Sequence, residues 1–196
     1  RLLAKVKRSQ TNHNARLQAR LAARTKVKQT KALEKCAPFA SLAPESISKI
    51  VDTMEYLENA AVLCREGAPA DKLFVLVEGT CEVSMRGAVI AHLPELSVFG
   101  ESALFGGEHA TRNATVSAQG GRLVKVLVLA KGKWERLVRS GVLSEACVAT
   151  LRAVRDRRET MNARGFKNGK ILSAPPPPVK QMSGKPALSS PVVVPV

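Results

Sequence analysis

Six short apolar runs, each closed by a glycine-bearing break, fill residues 56–129, and this pattern constrains the fold more than any other feature of the chain. The runs cover 61–64, 73–77, 80–85, 89–93, 114–118 and 123–129. All are too short for an average helix but long enough for strands. Gly67, Gly79, Gly87, Gly100, Gly106, Gly107, Gly120 and Gly121 fall at the breaks, and Arg86-Gly87 reads as a hairpin turn.

Helical signals flank the runs. Pro44 and Glu45 suit a first turn ahead of Ile47, Ile50, Val51 and Met54. Residues 133–139 read as a helical turn or two, with Trp134 as a core anchor. A further helix is expected to start at Ser144 as its cap, to carry Ala146, Cys147, Thr150, Leu151 and Val154 on one side, and to stop at Gly165. The expected fold is α+β: an antiparallel β-barrel or jelly roll of about eight strands with flanking N- and C-terminal helices.

Charge divides the chain of 196 residues and net charge +15. Residues 1–35 hold eleven of the 31 Lys and Arg and one of the 16 acids, while 164–196 hold five bases and no acid. The stretch 36–163 is therefore neutral, and the excess sits in two arms. The first arm lacks Gly and Pro and is rich in helix formers. Along it Arg16, Arg20, Arg24, Lys28, Lys31 and Lys35 recur every three or four residues, as a stripe facing an acidic partner would. The second arm, with four prolines at 175–178, is expected to be extended. The domains expected are thus a basic helical extension at 1–35, a globular domain at 36–163 and a Pro-rich tail at 164–196.

Several classes find no support. Cys36, Cys64, Cys81 and Cys147 form no CxxC pair, so neither a metal site nor a redox motif is expected, and a reduced, cytoplasmic setting follows. No run of about 18 apolar residues predicts a membrane span. His109 has no second ligand at metal spacing, and no nucleophile–base grouping suggests an enzyme. The chain opens on Arg1 rather than Met, which is expected of a fragment or of a processed chain.

The stretch that carries chemistry reads Phe99-Gly100-Glu101-Ser102-Ala103-Leu104, then, after a Gly-Gly loop, Arg112-Asn113-Ala114-Thr115-Val116. A turn of helix opening at Gly100 would aim backbone N–H groups at an anion, and Arg112 would offer its planar fork to the same phosphate. Small Ala103 and Ala114 would allow close approach. This series resembles the phosphate-binding cassette of the cyclic-nucleotide-binding domain family. The Glu66-Gly67 turn, Asp71 and the Glu78-Gly79 strand end agree with it, over roughly residues 33–162. The resemblance implies cAMP or cGMP as ligand at Phe99 to Leu104, Arg112, Asn113 and Ala114, with Glu101 accepting from the ribose 2′-hydroxyl and the last helix acting as a lid. The chain departs from the family at Leu96-Ser97, where Gly-Asp is usual, and at Ala68, where an acid is usual.

Two functions follow as expectations. One is a non-catalytic docking component of a large assembly, its arms lying on acidic surfaces; the first arm has no aromatic residue to stack on bases, which disfavours single-stranded nucleic acid, and analogy with ciliary proteins that carry similar domains favours tubulin in a ciliary axoneme over RNA. The other is a cAMP- or cGMP-responsive sensor with a closing lid. A DNA-binding regulator would need a helix-turn-helix after the lid, where Gly, Lys and Pro stand instead.

Overall fold

The computed structural model describes residues 2–107 and 109–167; the Pro-rich stretch expected to be extended lies outside them. The chain runs α1 (Leu2–Lys35), α2 (Pro44–Thr53), β1 (Glu55–Ala60), β2 (Val62–Cys64), β3 (Lys72–Glu78), β4 (Cys81–Met85), β5 (Ala88–Leu93), β6 (Val98–Phe99), α3 (Ser102–Phe105), β7 (Thr115–Ala118), β8 (Val124–Ala130), α4 (Lys131–Arg139) and α5 (Glu145–Lys167). The eight strands form two antiparallel sheets of four, in the orders β1-β8-β3-β6 and β2-β7-β4-β5. Among the described residues no strand of one sheet pairs with a strand of the other. The expected jelly roll is therefore a two-sheet sandwich, and the closed barrel is not formed.

Strand β3 shows why these apolar runs are nearly unbroken. Its alternate residues Leu73, Val75 and Val77 face the helices, while Phe74 and Leu76 face the second sheet. Strand β8 does the same, with Leu127 and Leu129 on one side and Val124, Val126 and Val128 on the other. Both strands are central and covered twice, so neither shows the apolar–polar alternation of a half-exposed strand. The inter-sheet core is completed by Phe99, Cys81, Val116 and Ala118. The helical layer brings Leu33 from the end of α1 and Cys36 just after it, Ile47, Ile50 and Val51 from α2, Trp134 and Leu137 from α4, and Cys147 and Leu151 from α5. Burial pushes the Cys36 thiol up to about 11 and that of Cys147 up to about 12.

Local chemistry sets several boundaries as the sequence suggests. Arg86 and Gly87 both have positive φ, 53° and 80°, and turn β4 into β5. The Ser144 hydroxyl accepts from Cys147 N at 3.3 Å and caps α5. Other expectations fail. Helix α5 does not stop at Gly165 but continues to Lys167. Ala146 and Thr150 are exposed, and the docked side of α5 is set instead by Cys147, Val148 and Leu151.

Candidate functional site

Strand β6 is only two residues long, yet it places the whole site. Its pairing with β3 sets Phe99 opposite Phe74, and the two rings stack at 5.2 Å with 13° between planes. Gly100 follows at φ 79°, in the left-handed region that glycine tolerates. A Cβ there would meet Arg112 Nη1 at 2.7 Å and the Lys72 carbonyl at 2.8 Å. The backbone at Gly100 and the guanidinium of Arg112 are thus neighbours, although twelve residues separate them.

Arg112 is held on three sides. Its backbone N–H donates to Ala68 O at 2.8 Å and its carbonyl accepts from Gly67 N at 2.9 Å, tying it to the turn before β3. Its Nη2 donates to Lys72 O at 2.9 Å, and the guanidinium lies 5.3 Å from the Phe74 ring centroid. Asp71 is 3.9 Å from Nη2 and mostly exposed, a weak contact. The residue is only 6% exposed, and its Nε and Nη1 are buried with no hydrogen-bond partner. Burial is the main cause that pulls its pKa below the ordinary value, with Cys64, Asp71 and Glu101 opposing. An arginine starts so high that it keeps its charge. Each buried donor left unmet costs about 1–3 kcal/mol, so an anion seated here would recover what the free site lacks.

Glu101 is 5% exposed and immediately precedes α3 at its N-cap position. It does not pair with Arg112. Its Oε2 accepts from Arg158 Nη1 at 2.7 Å, across 57 residues of chain, and the Arg158 side chain is 40% exposed. The same face of α5 carries Arg152 and Arg155, which lie 5.2 and 5.3 Å from the Phe105 ring centroid. Phe105 in turn meets Trp134 edge-on at 6.3 Å. Three arginines spaced by three residues thus seat α5 on the short helix α3. The sequence reading did not single out Arg158, since nothing local marks it; its partner is set only by the packing of α5.

Of the other residues expected at the site, Ala103 is fully buried and Ser102 and Ala114 are half-buried next to the group. The Leu104 side chain lies in the helical core and Asn113 is exposed, so neither side chain joins Arg112. Leu96, where the family has Gly, still takes a left-handed φ of 66°. Its N–H donates to Leu76 O at 2.8 Å, which holds the turn against about 1–2 kcal/mol of backbone cost. The departure keeps the shape of the turn.

Residues 54–140 match the profile of the family described as "Cyclic nucleotide-binding domain", a regulatory module. A cGMP-dependent protein kinase of Caenorhabditis briggsae is 32% identical over 114 residues, 54% of this chain and 15% of that one. Mouse cGMP-dependent protein kinase 2 is 33% identical over 91 residues, 45% of this chain and 12% of its own length. A cyclic nucleotide-gated potassium channel of Mesorhizobium japonicum is 39% identical over 82 residues, covering 41% and 22% of the two chains. The chain spans less than a quarter of each of these relatives. Among solved structures, the N-terminal domain of a transcriptional regulator from Streptomyces coelicolor has TM-score 0.53 and 28% identity, over 67% of this chain and 95% of that one. Cyclic-AMP-bound PfPKA-R has TM-score 0.59 at 22% identity, over 74% and 49%, a likeness of fold. The stacked Phe99, the Gly100 turn and the buried Arg112 thus all lie within residues 54–140, the stretch that matches the cyclic nucleotide-binding domain family.

Proposed function

We propose that this domain binds a cyclic nucleotide, cAMP or cGMP, and reports its occupancy through α5. The observation that carries this reading is Arg112, a buried cation with two donors unmet beside the Gly100 backbone. A cyclic phosphate supplies acceptors of the right charge and size for those donors. In a relict pocket Glu101 would neutralise Arg112, and here it is engaged elsewhere. That contrast favours the sensor over the purely structural role.

Glu101 links the pocket to the lid. A ribose hydroxyl donating to Glu101 would compete with Arg158, the side chain that ties α5 down. Nucleotide affinity and the seating of α5 are then coupled, and the coupling is reciprocal. Any partner attached beyond α5 would feel ligand as a change in that helix.

Calorimetric titration of the full chain with cAMP and with cGMP tests this. Binding of at least one is expected, and Arg112→Ala should weaken it about ten- to a hundredfold, the worth of a charge-assisted contact. No heat from either ligand at about 1 mM, a level where even weak sites fill, would overturn the reading.

A further inference from the structure

Helix α1 is attached to the domain by one side only. At about 100° per residue, Thr25, Gln29, Ala32 and Leu33 share one face and are buried or half-buried, with half-buried Thr30 beside it. Lys26 and Lys28 lie on the two borders of that face. Each is used by the domain itself, Lys26 on Asp52 at 2.5 Å and Lys28 on Glu78. Arg16, Arg20, Arg24, Lys31 and Lys35 fall in an arc of about 100° almost diametrically opposite. All five are exposed, and none forms an ion pair among the described residues. The stripe runs over about 28 Å of helix. Within or beside it Leu17, Leu21 and Val27 are 47%, 48% and 54% exposed.

We infer that this outward stripe of α1 is a docking surface for an acidic protein partner, one that presents carboxylates at helical spacing together with apolar side chains. Charge complementarity selects an acidic partner: like charges three or four residues apart repel along the free helix, and an opposing acidic surface turns that repulsion into attraction. The interleaved leucines and valine select protein over nucleic acid, because a phosphate backbone offers them nothing to pack on, and α1 carries no aromatic for bases. A lipid surface fits less well. Membrane-binding helices set apolar and basic residues on opposite faces, whereas here Val27 and Leu17 fall within the basic arc and Leu21 lies just beside it.

The test uses the full chain and three labelled probes: a synthetic helical peptide of Glu and Leu at i, i+3, i+4 spacing, an RNA duplex, and vesicles rich in phosphatidylserine. Fluorescence anisotropy should show the peptide bound most tightly, with affinity falling as salt rises. Joint reversal by Arg16→Glu, Arg20→Glu and Arg24→Glu should cost the peptide at least about tenfold, since each pair contributes modestly but three are inverted. Leu17→Ser with Leu21→Ser should weaken the peptide severalfold and leave RNA unchanged. These residues touch no part of the core, so nucleotide titration should be unaltered in both variants. Absence of peptide binding by the wild type, binding of duplex or vesicle as tight as that of peptide, or retention after charge reversal would each overturn the assignment.

Discussion

Helices α1 and α5 flank the same sandwich and are both rich in arginine, yet they spend that charge in opposite directions. On α5, Arg152, Arg155 and Arg158 point into the domain, onto Phe105 and Glu101. On α1 Arg16, Arg20 and Arg24 point away, and among the described residues only the border lysines reach carboxylates of the domain. A count of charges cannot separate the two cases. What separates them is where the anchoring apolar residues lie: Leu151 and Cys147 sit near the start of α5, so its later turns are laid across the cassette, while Leu33 sits at the end of α1, so its earlier turns are left free.

The contrast breaks most visibly at the anchors. Leu33 and Leu151 are both fully buried, and truncation of either to Ala should cost about 2–5 kcal/mol in chemical denaturation. The difference lies in function: Leu151→Ala should also change nucleotide affinity, because α5 is tied to Glu101, whereas Leu33→Ala should leave the affinity of the folded fraction alone. Equal effects on affinity would mean that α1 is coupled to the pocket after all.

A smaller effect sharpens the role of Arg158. Arg158→Ala leaves a buried carboxylate unpaired, and with half of the pair open to water the cost to the free protein should be about 1–2 kcal/mol. Nucleotide affinity should rise by a few fold, since the competitor for Glu101 is gone. A fall in affinity would show instead that Arg158 helps to hold the ligand.

The smallest effect concerns the α1 border. The hydrogen bond from Lys28, followed by that from Lys125, holds the Glu78 pKa below its ordinary value, and Glu78 in turn raises that of Lys28. Stability from the lowered carboxylate is present above its unfolded pKa and lost as pH falls through the lower folded value. Stability from the raised lysine is present below its unfolded pKa and lost as pH rises through the higher folded one. The tether should therefore be constant between about pH 5 and pH 10 and fade outside that window. Both partners are about half exposed, so Glu78→Gln should cost only about 0.2–1 kcal/mol at pH 7 and flatten the acid limb of the pH–stability curve.

Much of this was legible in the sequence where a residue's role depends on its neighbours in the chain. Six strands, the Arg86-Gly87 hairpin and the Ser144 cap follow from local rules. Strand β1 was not legible, because Glu55–Ala60 is an edge strand of mixed polarity with Asn59 at φ 62°. Strand β6 is too short to form an apolar run. Gly165 looked like a stop, but a single glycine costs a helix only about 1 kcal/mol relative to Ala. The site was half legible: the Gly100 turn and Arg112 stand in one recognisable series, while Arg158 meets Glu101 only because two anchors on α5 set its direction. The expectation of an axonemal partner rested on analogy with ciliary proteins and on the charge of the arms, and the exposed face of α1 narrows the proposal to a partner chemistry.

Trp134 is the one tryptophan of the chain, and its indole lies edge-on to Phe105, the ring that α5 covers with two guanidiniums. The molecule thus contains an intrinsic optical reporter where α3, α4 and α5 meet. Its emission would report any movement of α5 relative to Phe105, without a dye and without perturbing either helix.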